Sequence, residues 1–382
     1  MQSIFAYAFL VFAVLALTHI PLGLQEKIRS YAIDALLPYE KSSSLQGISR
    51  KEQALQELEK EKARLVAENY NLQSQLSSVY EWLLFDERLQ EEAKRMCALR
   101  KKQGEADLYW KSFFQKRSEE LKSLIEMKLQ ALPAKVIYRE PSSWGSSVWI
   151  NVGKRNNAAL EKEIIAKNSP VVVGNHLVGV VEFVDTSKSR VRLITDSGLA
   201  PSVRALRGKP QDEELLKWVD GLLVRLQAKP YAYQTTIQEL LSFKEHFSIQ
   251  KEELYLAKGE IQGSSKPLWS SQSVTLYGRG FNYAYSDSKG PSRDLHTGLP
   301  SSIEAVSKKK RAALLQEGDL LATTGMDGVF PEGLFVGAVT KVYPLEQGAY
   351  YYSIEAQPTC ATIDRLDTVF VLPKLSSSSM QE

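Results

Sequence analysis

The sequence predicts a mainly β head of two small barrel-like subdomains, preceded by a transmembrane helix and a long coiled-coil helix. Three observations predict this: an apolar run over Ser3–Leu24, a heptad pattern that starts at Ile48, and short Val- and Ile-rich segments that begin after Pro133. On this reading residues 1–24 are a short tail and membrane anchor, and 25–132 a linker and coiled coil. Residues 133–208 form a first β subdomain, 209–272 a mostly helical insertion, 273–375 a second β subdomain and 376–382 a disordered tail.

The anchor comes first. Roughly 20 apolar residues at 1.5 Å per residue match the ~30 Å hydrocarbon core of a bilayer. A cleaved signal peptide is the competing reading, but no Lys or Arg precedes the apolar run, and Thr18-His19-Ile20-Pro21 is a poor cleavage site. A retained anchor is the better fit. The nearest basic residues, Lys27 and Arg29, follow the span, which by charge alone puts the rest of the chain in the cytoplasm.

The heptad helix follows. Ile48, Leu55, Lys62, Asn69, Leu76 and Leu83 fall at a, and Lys51, Leu58, Leu65, Leu72 and Val79 at d, leaving a mostly apolar seam flanked by charges. Extended, this stretch spans ~54 Å. A homodimer is expected, held through Leu55, Leu58, Leu65, Asn69, Leu72, Leu76 and Val79. Asn69 either specifies a two-stranded register or is a tolerated seam polar. Trp110, Phe114, Leu121, Leu124 and Ile125 resume an apolar stripe, read as a helix packing on the following domain.

Pro133 cannot continue a helix, and β-branched alternation begins there. Ala134–Arg139, Val148–Val152, Val171–Val173, Leu177–Val184 and Arg190–Thr195 read as strands, and Asp319–Thr323, Leu334–Val342, Tyr351–Ala356 and Thr368–Leu372 repeat the pattern near the end. Strands at this spacing indicate small barrels or sandwiches. The two blocks share an echo, Val-Gly-x-Val-x-x-Val, at Val178–Val184 and Val336–Val342. Gly179 and Gly337 lie inside these Val-rich strands, where a bulge or a close backbone approach would require them. Gly325, Gly328 and Gly333 are further structural glycines, in a turn. Between the blocks, Asp212–Leu226 and Thr236–Ala257 read as helices with a stripe of Leu215, Leu216, Val219 and Leu222.

Composition excludes several function classes. The net charge is +3 with acidic and basic residues interleaved, so nucleic acid is not an expected partner. Cys97 and Cys360 are too far apart in the chain for a CxxC site or a disulfide framework, a usage that fits either an extracytoplasmic or a reduced compartment. No HExxH, P-loop, strand-linked G-x-G-x-x-G or G-x-S-x-G elbow is present. Ser286/Lys289 and Ser307/Lys310 match Ser-x-x-Lys without its companion motifs, and His19, His176, His246 and His296 are scattered. The sequence therefore predicts no enzyme, no cofactor and no metal. Lys308–Arg311 reads as a solvated basic loop.

Binding residues of such a head are exposed apolar ones. The turn Gly325–Gly333 carries Met326, Val329, Phe330 and Pro331 on a tight loop, the candidates for partner binding. The alternative is that Val329 and Phe330 plug the end of the second barrel. Tyr350, Tyr351 and Tyr352 are candidates to line an edge.

Several of these stretches resemble the rod shape-determining protein MreC family. The carriers are Arg139–Trp144, Trp149–Gly153, Leu177–Val181 and Ser189–Asp196, then the more distinctive run Gly318–Gly337, with Pro358, Asp364, Leu366 and Val369–Val371 where the final strand would fall. With the anchor and coiled coil, the resemblance covers nearly all of the chain outside about 209–272. It implies a bacterial, single-pass inner-membrane protein with a short cytoplasmic tail, a periplasmic body and a coiled-coil homodimer. It further implies a non-enzymatic scaffold of cell-wall elongation, linking MreB and MreD to a penicillin-binding transpeptidase that crosslinks peptidoglycan. This orientation opposes the Lys/Arg count. The chain departs from the family in lacking basic residues before the span, in the charged Lys154–Lys167 stretch and in the insertion after Gly208. The rival class is a periplasmic adaptor of an efflux or secretion system. Such adaptors insert their coiled coil within a β domain, whereas no strand signal lies between Leu24 and Leu132 here. A membrane-tethered hydrolase is the third class, and the lack of a catalytic constellation counts against it.

Overall fold

The computed structural model describes residues 25–33, 127–128, 130–140, 145–160, 163–227, 230–248, 253–264, 274–284, 292–299, 312–360, 363 and 366–375. The expected anchor, the heptad residues Leu55 to Val79 and the C-terminal tail lie outside them. No described helix is long and apolar enough to cross a membrane.

Twelve strands make the head: β1 (Leu132–Tyr138), β2 (Ser147–Ile150), β3 (Pro170–Val173), β4 (His176–Val184), β5 (Ser189–Leu193), β6 (Ser202–Gly208), β7 (Glu253–Gly263), β8 (Leu276–Asn282), β9 (Leu320–Thr323), β10 (Phe335–Val342), β11 (Tyr352–Pro358) and β12 (Thr368–Val371). Among the described residues, helices α1 (Lys154–Leu160), α2 (Lys209–Gln227) and α3 (Pro230–His246) accompany them, and residues 25–33 form a further helical segment. The strand pairings close on themselves twice. β1-β2-β5-β4-β3-β12 returns to β1, and β6-β7-β8-β11-β10-β9 returns to β6, with every pairing inside the two rings antiparallel. Closure leaves no free edges, which is how a short-stranded sheet avoids edge pairing.

Ring membership does not follow chain order. β6 continues the first run of strands yet belongs to the second ring, while the last strand, β12, closes the first. The insertion also differs from expectation: helix ends at His246 rather than Ala257, and Glu253–Gly263 is a strand of the second ring. The two echo strands, β4 and β10, turn out to be neighbours. They meet in parallel at His176 and Phe335, the pairing that joins the rings among the described residues.

Successive side chains of a strand face opposite sides, so β2, β3 and β9, buried along most of their length, have both faces covered. Val171, Val181 and Val371 point into the first ring with Val148, Ile150, Val191 and Leu193. Their chain neighbours Val172, Val180 and Phe370 face the other way and join the second core, around Leu256, Phe281, Leu321, Val336 and Ile354. The first ring therefore gives one face to its own interior and part of the other to the seam, so these strands read as continuous apolar runs.

Gly179 and Gly337 sit where backbones crowd. A Cβ at Gly179 would lie 2.0 Å from the Arg192 carbonyl oxygen, and one at Gly337 would lie 2.9 Å from that of Gln357. The pairing register also slips beside both residues. The echo thus marks the same local device in each ring, a strand that a side chain would push off its partner.

Candidate functional site

The candidate interaction surface is built from loops and helices that the two rings hold in place. The 325–333 turn is organised by Asp327, whose Oδ1 accepts hydrogen bonds from the amides of Val329 at 2.9 Å and Phe330 at 3.0 Å, while Oδ2 accepts from the Ser202 amide at 3.1 Å. Gly325, Gly328 and Gly333 take φ of +76°, +67° and +93°, which favour glycine. This geometry turns Phe330 inward. It is 2% exposed and packs with Leu321 and Val336, Pro331 is buried, and Val329 lies against the same core. Thr323 fixes the far side, its hydroxyl donating to the Pro331 carbonyl at 2.5 Å and accepting from the Leu334 amide at 3.0 Å. Of the four residues expected to bind a partner, only Met326, 67% exposed, presents its side chain to solvent. Phe330 and Pro331 are core residues because the Asp327 turn leaves them no outward direction.

A second group lies on the helices. Val219 and Leu223 are buried, whereas Leu215, Trp218 and Leu222 are exposed, with Trp218 at 64%. The sequence stripe that combined Leu215, Leu216, Val219 and Leu222 therefore splits between two faces. The outward set 215, 218, 222 follows helical spacing and forms one apolar row. α2 packs on β6 and on α3, and Lys244 of α3 pairs with Asp220 at 2.7 Å.

Polar contacts fix α2 against the seam. His176 Nε2 lies 3.2 Å from Glu214 Oε1, and its ring lies against Phe335 with centroids 5.9 Å apart. Burial pushes the Glu214 carboxyl up, but the hydrogen bond and charge of His176, with Lys217 beyond, hold it below the usual carboxylate range. Lys128 donates to Asn175 Oδ1 at 2.7 Å at the same turn. At the foot of α2, Arg207 holds the buried Asp319 with two hydrogen bonds of 2.7 Å, tying β6 to β9.

A charged cluster covers the outer face of β4 and β5. Arg190 donates to Glu182 through Nε at 3.0 Å and Nη2 at 2.5 Å, and Arg192 bonds the other oxygen of Glu182. Burial raises the Glu182 carboxyl, but the hydrogen bonds and charges of the two arginines outweigh it and the group lies below its usual range. Arg190 also reaches Glu26, in the helical segment 25–33, at 2.6 Å. Sequence reading missed this cluster, whose only linear signal is the Arg-x-Arg spacing at 190 and 192 that puts both side chains on one strand face.

Tyr350 and Tyr351 are exposed at the turn before β11, while the Tyr352 hydroxyl donates to the Leu295 carbonyl at 3.1 Å. Among the described residues no group of His, Cys, Asp and Glu has the arrangement of a metal site. The exposed apolar and aromatic side chains of the turn, of α2 and of the segment before β11 are residue types that anchor protein interfaces.

The chain is similar to known proteins. The family model described as rod shape-determining protein MreC, barrel core, matches residues 136–245 and 287–373. An MreC structure from Listeria monocytogenes shares 20% identity, covers 76% of this chain and 94% of its own, and superposes with a TM-score of 0.38. MreC from Pseudomonas aeruginosa shares 17% identity over 63% of this chain and 98% of its own, with a TM-score of 0.36. A Helicobacter pylori MreC, solved as a complex with Penicillin-Binding Protein (PBP2), shares 16% identity over 64% of this chain and 98% of that one, with a TM-score of 0.33. No curated protein matches the chain. The matched residues amount to just over half of the sequence and include strands of both rings, so the chain belongs to the rod shape-determining protein MreC family, whose members are non-enzymatic.

Proposed function

We propose that this protein is a membrane-anchored periplasmic scaffold of the cell-wall elongation machinery, which sets cell shape by linking cytoskeletal and membrane components to peptidoglycan synthases. Residues 3–24 anchor it, with the body in the periplasm. The heptad residues Leu55, Leu58, Leu65, Asn69, Leu72, Leu76 and Val79 pair two copies, and the head offers docking faces to a penicillin-binding transpeptidase, with MreB and MreD reached through the anchor end. The observation that carries the reading is the family match across strands of both rings. Met326 and the row Leu215, Trp218 and Leu222 are the exposed apolar anchors on which we place partner contacts.

The test is mild crosslinking in native membranes, affinity capture of the full chain and identification of what comes with it. Recovery of a penicillin-binding transpeptidase, MreB or MreD supports the scaffold. Recovery of a transporter with an outer-membrane channel refutes it.

A further inference from the structure

Residues 25–33 immediately follow the apolar run, yet they lie on the first ring. The segment is helical, and its buried side chains follow helical spacing: Ser30 and Ile33 are each 2% exposed, and Glu26, one turn before Ser30, is half-buried. This face meets the β4–β5 turn. The Ser30 hydroxyl donates to Asp185, Lys188 Nζ donates to the Ser30 carbonyl at 2.5 Å, and Arg190 Nη1 donates to Glu26 Oε1 at 2.6 Å. Arg29 adds a longer contact, 4.0 Å from Glu140 Oε1. Lys188 is itself buried in the contact. The opposite face carries Lys27, Ile28 and Tyr31, of which Tyr31 is 75% exposed. A basic residue beside aliphatic and aromatic ones is a composition suited to a membrane–water interface.

We infer that the β4–β5 turn of the first ring is a docking site for the chain's own membrane-proximal segment 25–33, which parks the head at the bilayer surface. The inference rests on reading 3–24 as the anchor. Residue 25 is one helical rise from the end of that run, so a ring that holds Glu26 and Ser30 stands within ~10 Å of the anchor's end along the helix axis. The heptad stretch, extended, would instead carry the head ~54 Å away. The docked segment therefore defines a retracted position of the head, distinct from an extended one. While docked, it covers Asp185, Lys188 and part of Arg190, and a partner that uses this face has to displace it.

The test is disulfide trapping in the full chain in native membranes, with Cys97 and Cys360 replaced by alanine. Ser30→Cys with Asp185→Cys should form an intrachain disulfide about tenfold more abundantly than the control pair Ser30→Cys with Thr340→Cys, as a tethered contact predicts. Arg29→Cys with Glu140→Cys, bridged by a short bis-maleimide because two long side chains meeting at their tips set the backbones too far apart for a disulfide, repeats the test with the Ser30 and Asp185 side chains intact. Adding Glu26→Arg to this second pair should lower its yield about fivefold, near the upper end for a partly exposed ion pair, and adding Arg190→Glu should restore it. Yields equal to the control for both pairs, or disulfides found only between differently tagged copies, overturn docking. Alkaline extraction tests the anchor separately: retention in the membrane pellet upholds the placement at the bilayer. Release with the disulfide intact leaves the contact but overturns that placement.

Discussion

Replacing Phe330 with alanine separates two roles for the most recognisable loop of this chain. A buried phenylalanine removes ~150–200 Å² of apolar surface from water, worth ~4–5 kcal/mol at about 25 cal/mol per Å². Measured phenylalanine truncations in cores cost ~3–5 kcal/mol, a consistent range. Phe330 is 2% exposed, packs with Leu321 and Val336, and is held inward by Asp327 and Thr323, so the site has little freedom to collapse. We expect Phe330→Ala to lower the thermal midpoint on the order of 10 °C, since ~1 kcal/mol shifts a domain of this size by about 2–4 °C. Met326→Ala, at an exposed position, should stay within ~0.5 kcal/mol. The assay is thermal unfolding of the purified chain followed by the strand circular-dichroism signal, run alongside transpeptidase capture. A Phe330→Ala protein that melts like the wild type yet loses its partner would refute the plug reading and restore Phe330 as a contact residue.

Further predictions concern the strand crowding, the charge clusters and the coil. Gly179→Ala should prevent the first ring from closing or cost several kcal/mol, because its Cβ would stand 2.0 Å from the Arg192 carbonyl oxygen, and poor soluble yield or a large urea-midpoint drop would register it. Glu182 has a folded-state pKa below its ordinary value of 4.5, so its pairing with Arg190 and Arg192 stabilises the head above that pH and is lost as pH falls through the lower folded value. Urea midpoints should therefore drop below about pH 4.5, with a shallower drop in Glu182→Gln. Glu214 has the same sign through His176, so His176→Ala should remove the share of the acid loss that Glu214 contributes and make the drop shallower. Replacing Leu58, Leu65 and Leu72 with Asp should dissociate the dimer in analytical ultracentrifugation, because charges at d positions cannot be buried in a seam. A triple variant that stays dimeric would assign association to the head.

Strands rich in Val were legible in the sequence. β3, β4, β5, β10 and β12 begin and end within two residues of the expected limits. The strands that escaped notice have physical reasons to look unlike strands. β6 carries Arg204 and Arg207, yet Arg204 is buried, its guanidinium 5.7 Å from the Tyr283 ring centroid, and Arg207 is consumed by Asp319. In β7 and β8, Gly259, Gly263 and Gly278 lower strand propensity, but a Cβ at each would stand within 2.6 Å of a neighbouring atom. Ring membership was out of reach for another reason: the pairings of β6 with β9 and of β12 with β1 join residues more than 100 apart, which no local pattern encodes. The loop candidates fared likewise. Met326 and Phe330 are close in sequence and equally apolar, and the hydrogen bonds of Asp327 and Thr323 decide which one faces the solvent.

The most direct measurement is depletion of the protein in its own cells, with newly inserted wall labelled by a fluorescent D-amino acid and cell shape followed by microscopy. The scaffold account predicts rounding and loss of label along the lateral wall, restored by the wild-type chain. Cells that keep their shape and their lateral labelling after depletion would contradict it.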